Sequence, residues 1–227
     1  MASALPAWAQ EVRDAATRNL ASLPALTGEE EAWRFTPPAD LALTGAEPDA
    51  PGSAGAITVE DGVRAARLIL ADGVPSSPEL LDLPEGVIVA ELGAALEAHE
   101  SLVREKLYGL IGFAERPEAM NAAHWDGGLF VYVPRGVDAT LPVESILSAT
   151  GAAGRVFGRS LVVVEEGARA TVVERFASPD VSGAVQVSTV VELYVGQGAE
   201  LEHISVIDWG AGVRPHAMLR GRVERDA

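Results

Sequence analysis

Four histidines, His99, His124, His203 and His216, are the residues of this chain best suited to metal or proton chemistry. A metal site needs ligands that converge and polar groups that orient them, and these four are scattered. Iron accepts imidazole together with carboxylate, so His203 with Glu200 or Glu202 is the candidate pairing. His216 follows Pro215, His124 stands just before a glycine pair, and His99 falls on an apolar helical stripe, where it reads as a packed or rim residue. Glu165, Glu166, Glu174, Glu192, Glu200 and Glu202 form an acidic series that could attract cations. Its spread reads instead as a solvated surface that keeps an acidic protein soluble. There is no cysteine, which excludes disulfides and thiolate ligation of zinc or an iron–sulfur cluster by these residues. No Gly-Lys-Ser/Thr phosphate loop is present. The reading is a non-enzyme, with no catalytic, cofactor-binding or metal-binding residue assigned.

Charge narrows the partners. With 33 acidic and 17 basic residues the formal net charge is −16, which repels phosphate backbones and argues against nucleic acid. No apolar run reaches the ~18 residues of a membrane span. The first twenty residues lack a basic stretch followed by an apolar one, so no export signal and a cytoplasmic location are expected.

The elements that would position these side chains fall into two textures. Ser3 to Leu20 has helical spacing of Leu5, Trp8, Val12, Ala16 and Leu20. Thr27-Gly28-Glu29-Glu30 has capping-box spacing for a short second helix, ended by Pro37-Pro38. Ala39 to Ala56 reads as a loop, and Ile57–Glu60 and Ala66–Leu70 as strands about an Asp61-Gly62 turn. Gly86–Ala90 is a further apolar run. Leu92 to Ile111 carries the strongest helical stripe, and Glu115 to Ala123 a shorter helix with Pro117 in its first turn. After Gly127-Gly128 the strand runs Leu129–Val133, Leu161–Glu165, Ala170–Glu174, Val185–Val195 and Leu201–Ile207 follow one another with no helical pattern between them.

These strands repeat. Tyr132 to Thr140, Val163 to Thr171 and Tyr194 to Glu202 align with glycines at 136, 167 and 198, a constant step of 31. Glycine recurs where a tight corner needs positive φ, and one corner at one period is the mark of a parallel β-solenoid. Asp226 falls at a fourth corner after a step of 28, and Asp tolerates the left-handed region. His203 aligns with Leu141 and Val172 and is expected to point inward. The sequence stops mid-coil, so a longer polypeptide or a covering partner is expected at that end.

The same residues carry a family resemblance. Asn121-Ala122-Ala123 with Asp126 to Val137, then Arg159 to Ala168, resemble the signature blocks of the SufB/SufD family, and Trp33-Arg34-Phe35-Thr36-Pro37 looks like its short N-terminal motif. The divergent first half and the missing cysteine resemble SufD more than SufB. The resemblance implies a mainly β fold, a right-handed parallel β-helix preceded by an N-terminal α/β region, divided into residues 1–118 and the first coils at 119–227. It implies a scaffold subunit for iron–sulfur cluster assembly, acting with a SufB-like subunit and a SufC-like ATPase. No cofactor is expected in this segment; a cluster is expected only in the full complex. Two rivals are a carbohydrate-active β-solenoid enzyme and an unrelated interaction platform. The first needs clustered carboxylates, and the column Asp138, Arg169, Glu200 mixes signs.

Overall fold

The valine- and isoleucine-rich runs of the second half form strands that alternate between two sheets. The computed structural model describes residues 5–38, 62–151, 154–181 and 183–227. The expected loop over 39–56 and the strand Ile57–Glu60 lie outside the described residues. The fold is mainly β: of the described residues 41% are strand and 21% helix. In the second half the strands are β5 (Leu129–Val133), β6 (Asp138–Ser148), β7 (Arg155–Val164), β8 (Arg169–Ala177), β9 (Val185–Val195), β10 (Glu200–Asp208) and β11 (Val213–Val223). The first half contributes β1 (Ala66–Ala71), β2 (Val74–Pro75), β3 (Glu79–Leu80) and β4 (Ile88–Glu91). One sheet has the order β10-β8-β6-β1-β2, with β3 also on β1; the other has the order β11-β9-β7-β5-β4. From β5 onward every strand pairs in parallel with the strand two places along the chain. The sheets are mixed because β2 and β3 pair antiparallel to β1, and β4 antiparallel to β5.

Register follows the sequence repeat. Tyr132 pairs with Val163 and Val163 with Tyr194; Asp138 pairs with Arg169 and Arg169 with Glu200. Gly136, Gly167, Gly198 and Asp226 hold φ of 70°, 66°, 63° and 62°. The Gly136 amide donates to Glu166 O, that of Gly167 to Gln197 O and that of Gly198 to Arg225 O, at 3.0–3.1 Å. The corners therefore stack by backbone hydrogen bonds, and glycine is there for φ alone: a Cβ on Gly167 would meet nothing within 4 Å. Gly167→Val should lower unfolding free energy by roughly 1–3 kcal/mol through backbone strain. Gly167→Asp should cost less, since Asp226 already adopts this conformation. Urea unfolding checks both, and unchanged stability of the valine variant would refute this account of the corner.

Alternation divides the core. Val131, Val133, Val162, Val164, Val191, Val195, Leu68, Val172 and Phe176 pack between the sheets. Phe130, Phe157, Leu161 and Val163, one residue out of phase, pack on the other side of the second sheet against helical residues. Those helices are α1 (Ala7–Ser22), α2 (Leu92–Ala98), α3 (Glu100–Lys106) and α4 (Arg116–His124). Burial of both faces explains why β5 and the Leu161–Val164 part of β7 read as unbroken apolar runs, and why the polar residues within β7 and β9, Arg159, Ser160, Gln186, Ser188, Thr189 and Glu192, are themselves buried.

The expected helix from Leu92 to Ile111 is broken into α2 and α3 at His99, whose φ of −132° and ψ of 37° are not helical. It ends at Lys106, because the amides of Tyr108, Leu110 and Ile111 donate to the Glu192 carboxylate rather than along a helix. The capping-box spacing at Thr27 yields only a 3-10 turn, Glu31–Trp33, with the Glu30 carboxylate accepting from the Thr27 and Gly28 amides. The sequence reading contained neither β6 nor β11, both of which carry a proline.

Candidate functional site

Two buried polar clusters lie on opposite faces of the second sheet. The inner one centres on Glu174. Its place in β8 shares the phase of Val172 and Phe176, so the carboxylate points between the sheets and is 1% exposed. One oxygen accepts from Ser160 Oγ of β7 at 2.7 Å and from Ser145 Oγ of β6 at 3.4 Å. The other lies 2.8 Å from His203 Nε2 of β10. A buried carboxylate is costly unless hydrogen-bonded, and here residues from three other strands, drawn from both sheets, supply the bonds. The cavity beside it measures about 10 Å³, room for no more than one water.

The outer cluster joins the second sheet to the helices. Arg159 of β7 and Glu192 of β9 are fully buried and form an ion pair at 2.8 Å. Arg159 also donates to Ile111 O and to Asn121 Oδ1 of α4, and its guanidinium lies 4.2 Å from the centre of the Tyr108 ring. Asn121 Nδ2 donates to Gly158 O at 3.1 Å and to Ser188 O at 3.2 Å. Glu192 accepts the amides of Tyr108, Leu110 and Ile111 at 2.9–3.1 Å, which holds Tyr108 at φ 67°. Burial pushes the Tyr108 phenol up against the lowering pull of Arg159. Burial and then the Glu192 charge push Tyr194 up to about 12, and its hydroxyl donates to Lys106 O. Both phenols stay protonated at physiological pH, and the Tyr108 hydroxyl accepts from Trp125 Nε1 at 2.8 Å. The arrangement can hold strands and a loop in fixed register.

The sequence candidates separate accordingly. His203 points inward, but its partner is Glu174, and neither Glu200 nor Glu202 reaches it; Glu200 pairs with Arg169 at 2.9 Å on the surface. His203 shares register with Val172 and Val143, not Leu141, because a register shift between Ala139 and Val143 displaces β6. Pro142 lies inside that shift and lacks the amide a regular ladder needs. The acidic series is not one solvated face: Glu166, Glu200 and Glu202 are exposed, whereas Glu174 and Glu192 are buried. His99 packs near Phe130, His124 near Phe157 and His216 near Trp33. Among the described residues, no three His, Asp or Glu side chains converge as metal ligands. Sequence reasoning gave no role to Arg159, Asn121, Ser145 or Ser160. For Arg159, Ser145 and Ser160 the available signal was a polar residue next to or within an apolar strand run; Asn121, on α4, carried no such signal.

Comparison with known proteins bears on the same residues. Residues 146–227 match the family model described as SUF system FeS cluster assembly, SufBD core domain. An iron-sulfur cluster assembly SufBD family protein of Staphylococcus epidermidis (strain RP62A) is 30% identical over 130 residues. Counterparts in Staphylococcus haemolyticus and Staphylococcus aureus (strain USA300) are 28% and 27% identical over the same length. In each case the match covers 57% of this chain and 28% of the relative, so the matched stretch spans little more than a quarter of those proteins.

Proposed function

Because this chain belongs to the SufB/SufD family, we propose that it is a non-catalytic, SufD-like scaffold subunit of the SUF machinery for iron–sulfur cluster assembly. It acts in the cytoplasm with a SufB-like subunit and a SufC-like ATPase. Its cargo is a cluster assembled in the complex, with no resident cofactor in this segment. Among the described residues no helix is long and apolar enough to cross a membrane.

One observation carries the scaffold reading. The buried groups capable of chemistry, Glu174 with His203 and Glu192 with Arg159, are each engaged across neighbouring strands by hydrogen bonds and ion pairs. A catalytic acid or base needs a face open to substrate; these hold the layers together. Parallel ladders that alternate between two sheets, with matching positive-φ corners, support a right-handed parallel β-helix over 119–227. Residues 1–118 then form an α/β region that lends β1 and β4 to its sheets. The absence of cysteine supports the SufD-like assignment over the SufB-like one.

The test is co-expression of the tagged chain with SufB-like and SufC-like subunits, with circular dichroism to show that the chain is folded. Recovery of both subunits on the tag is expected. A folded chain that elutes alone, while the other two associate with each other, would overturn the proposal.

A further inference from the structure

The Trp33 to Pro37 motif has no part in either cluster, yet it is seated on the β half. Trp33 packs against His216 of β11, with ring centroids 5.7 Å apart and planes at 31°. His216 is half-buried, and its Nδ1 is shielded from solvent with no hydrogen-bond partner. The turn that presents Trp33 is shaped locally: the Trp33 amide donates to Glu30 O at 2.8 Å and that of Thr36 to Trp33 O at 3.1 Å. Phe35, next to it, is 88% exposed. Trp33 and Leu26 are the apolar side chains of this segment that reach the helical core.

We propose that the His216–Trp33 contact is an acid-sensitive clasp, and that protonation of His216 releases residues 27–36 from β11. A neutral imidazole with one orphaned ring nitrogen is tolerable against an indole. A buried imidazolium with an N–H lacking an acceptor is costly. What opposes this is cation–π attraction to Trp33. Burial holds His216 below the ordinary histidine value, with no charged group contributing, and the orphaned Nδ1 would leave the added N–H of an imidazolium without an acceptor, so charging the seated ring is disfavoured. The charged residues of the surrounding elements are accounted for as follows. Glu31 and Arg34 of the turn pair with each other at 3.6 Å, and Glu30 is bound to the Thr27 and Gly28 amides. Arg220 of β11 pairs with Glu118 of α4, Glu192 of β9 is held by Arg159, and Arg214 also has a partner of its own. With the seated value depressed, seating is fully favourable above the free histidine value and weakens as pH falls through it. The seating constant falls by up to about tenfold per pH unit between the free and seated values.

Hydrogen exchange measured by mass spectrometry tests this, corrected for intrinsic rates, at about pH 7.5 and about pH 5.5 to bracket the ordinary histidine value. The peptide spanning 27–36 should lose protection at the lower pH while the β9 peptide keeps it. His216→Phe, which preserves a ring but cannot titrate, should make protection of 27–36 independent of pH; His216→Asn serves if the phenylalanine variant does not fold. Unchanged protection in the wild-type chain would overturn the clasp. So would loss of β9 protection in parallel, or an identical pH response in the variants.

Discussion

Glu192→Ala should lower the unfolding free energy by about 3–5 kcal/mol, the range for breaking a buried ion pair from one side. For a chain of this size that is a fall in melting temperature on the order of 6–20 °C. Two separate losses combine. Arg159 is left as a fully buried cation whose remaining acceptors are Ile111 O and Asn121 Oδ1. The amides of Tyr108, Leu110 and Ile111 lose their acceptor at the same time, and Tyr108 loses what holds it at positive φ. A buried pair can often be exchanged for apolar residues at little cost, but that requires both partners to be the only groups involved. Here Arg159→Leu with Glu192→Leu removes the charges and leaves three amides unsatisfied, so it should recover only part of the loss. The surface pair Arg169–Glu200, with both side chains more than half exposed, serves as the control, and Glu200→Ala should change little. Urea midpoints of these three variants, set against the unsubstituted chain, check the argument. A Glu192→Ala loss no larger than that of Glu200→Ala would show that the clamp does not hold the loop to the sheet.

What the sequence made legible, and what it hid, follows from the range of the interactions concerned. The corners at Gly136, Gly167 and Gly198 were legible because a local backbone requirement repeats at a fixed step, and Asp226 was legible as the residue that best imitates glycine there. Leu129–Val133 and Val185–Val195 matched to the residue because burial on both faces enriches both positions of the alternation in Val, Leu and aromatic residues, without a break in the first and around a few polar residues in the second. The end of the helix at Lys106 was not legible, because the competitor for the amides of 108–111 is a carboxylate more than eighty residues away. The inward direction of Glu174 depends on phase within β8, which is fixed only once the neighbouring strands are in register. Pro142 shows the same limit: the repeat aligned His203 with Leu141, and a two-residue shift in one strand moved the true neighbour to Val143. The candidate pairing of His203 with Glu200 or Glu202 failed because those two glutamates stand on the exposed side of β10 while His203 points inward to Glu174.

Among the glycines of the described residues, Gly128→Ala should be the most damaging, with a loss beyond the ~4 kcal/mol that marks exceptional substitutions. Gly128 is fixed from two directions. Its carbonyl accepts the first amide of α2, from Leu92, at 2.8 Å. On its other side the adjoining Gly127 bridges to Gly158, and its carbonyl accepts the Arg159 amide at 3.0 Å. A Cβ on Gly128 would overlap the backbone carbonyl of Arg159. That carbonyl cannot retreat, because the Arg159 side chain is anchored to Glu192, Ile111 and Asn121. Ordinary overpacking costs about 1–3 kcal/mol because side chains can yield; a strand backbone inside a parallel ladder yields far less. The adjacent glycine gives the contrast. A Cβ on Gly127 would meet Leu70 Cδ2, the end of a side chain, at 2.8 Å and no backbone atom nearer than Gly73 O at 3.3 Å, so Gly127→Ala should fall within that ordinary range. Side-by-side denaturation of the two variants, or loss of soluble expression for Gly128→Ala alone, tests the difference. Equal stability of the two would mean that the close approach of the signature stretch to β7 is not what requires glycine at 128.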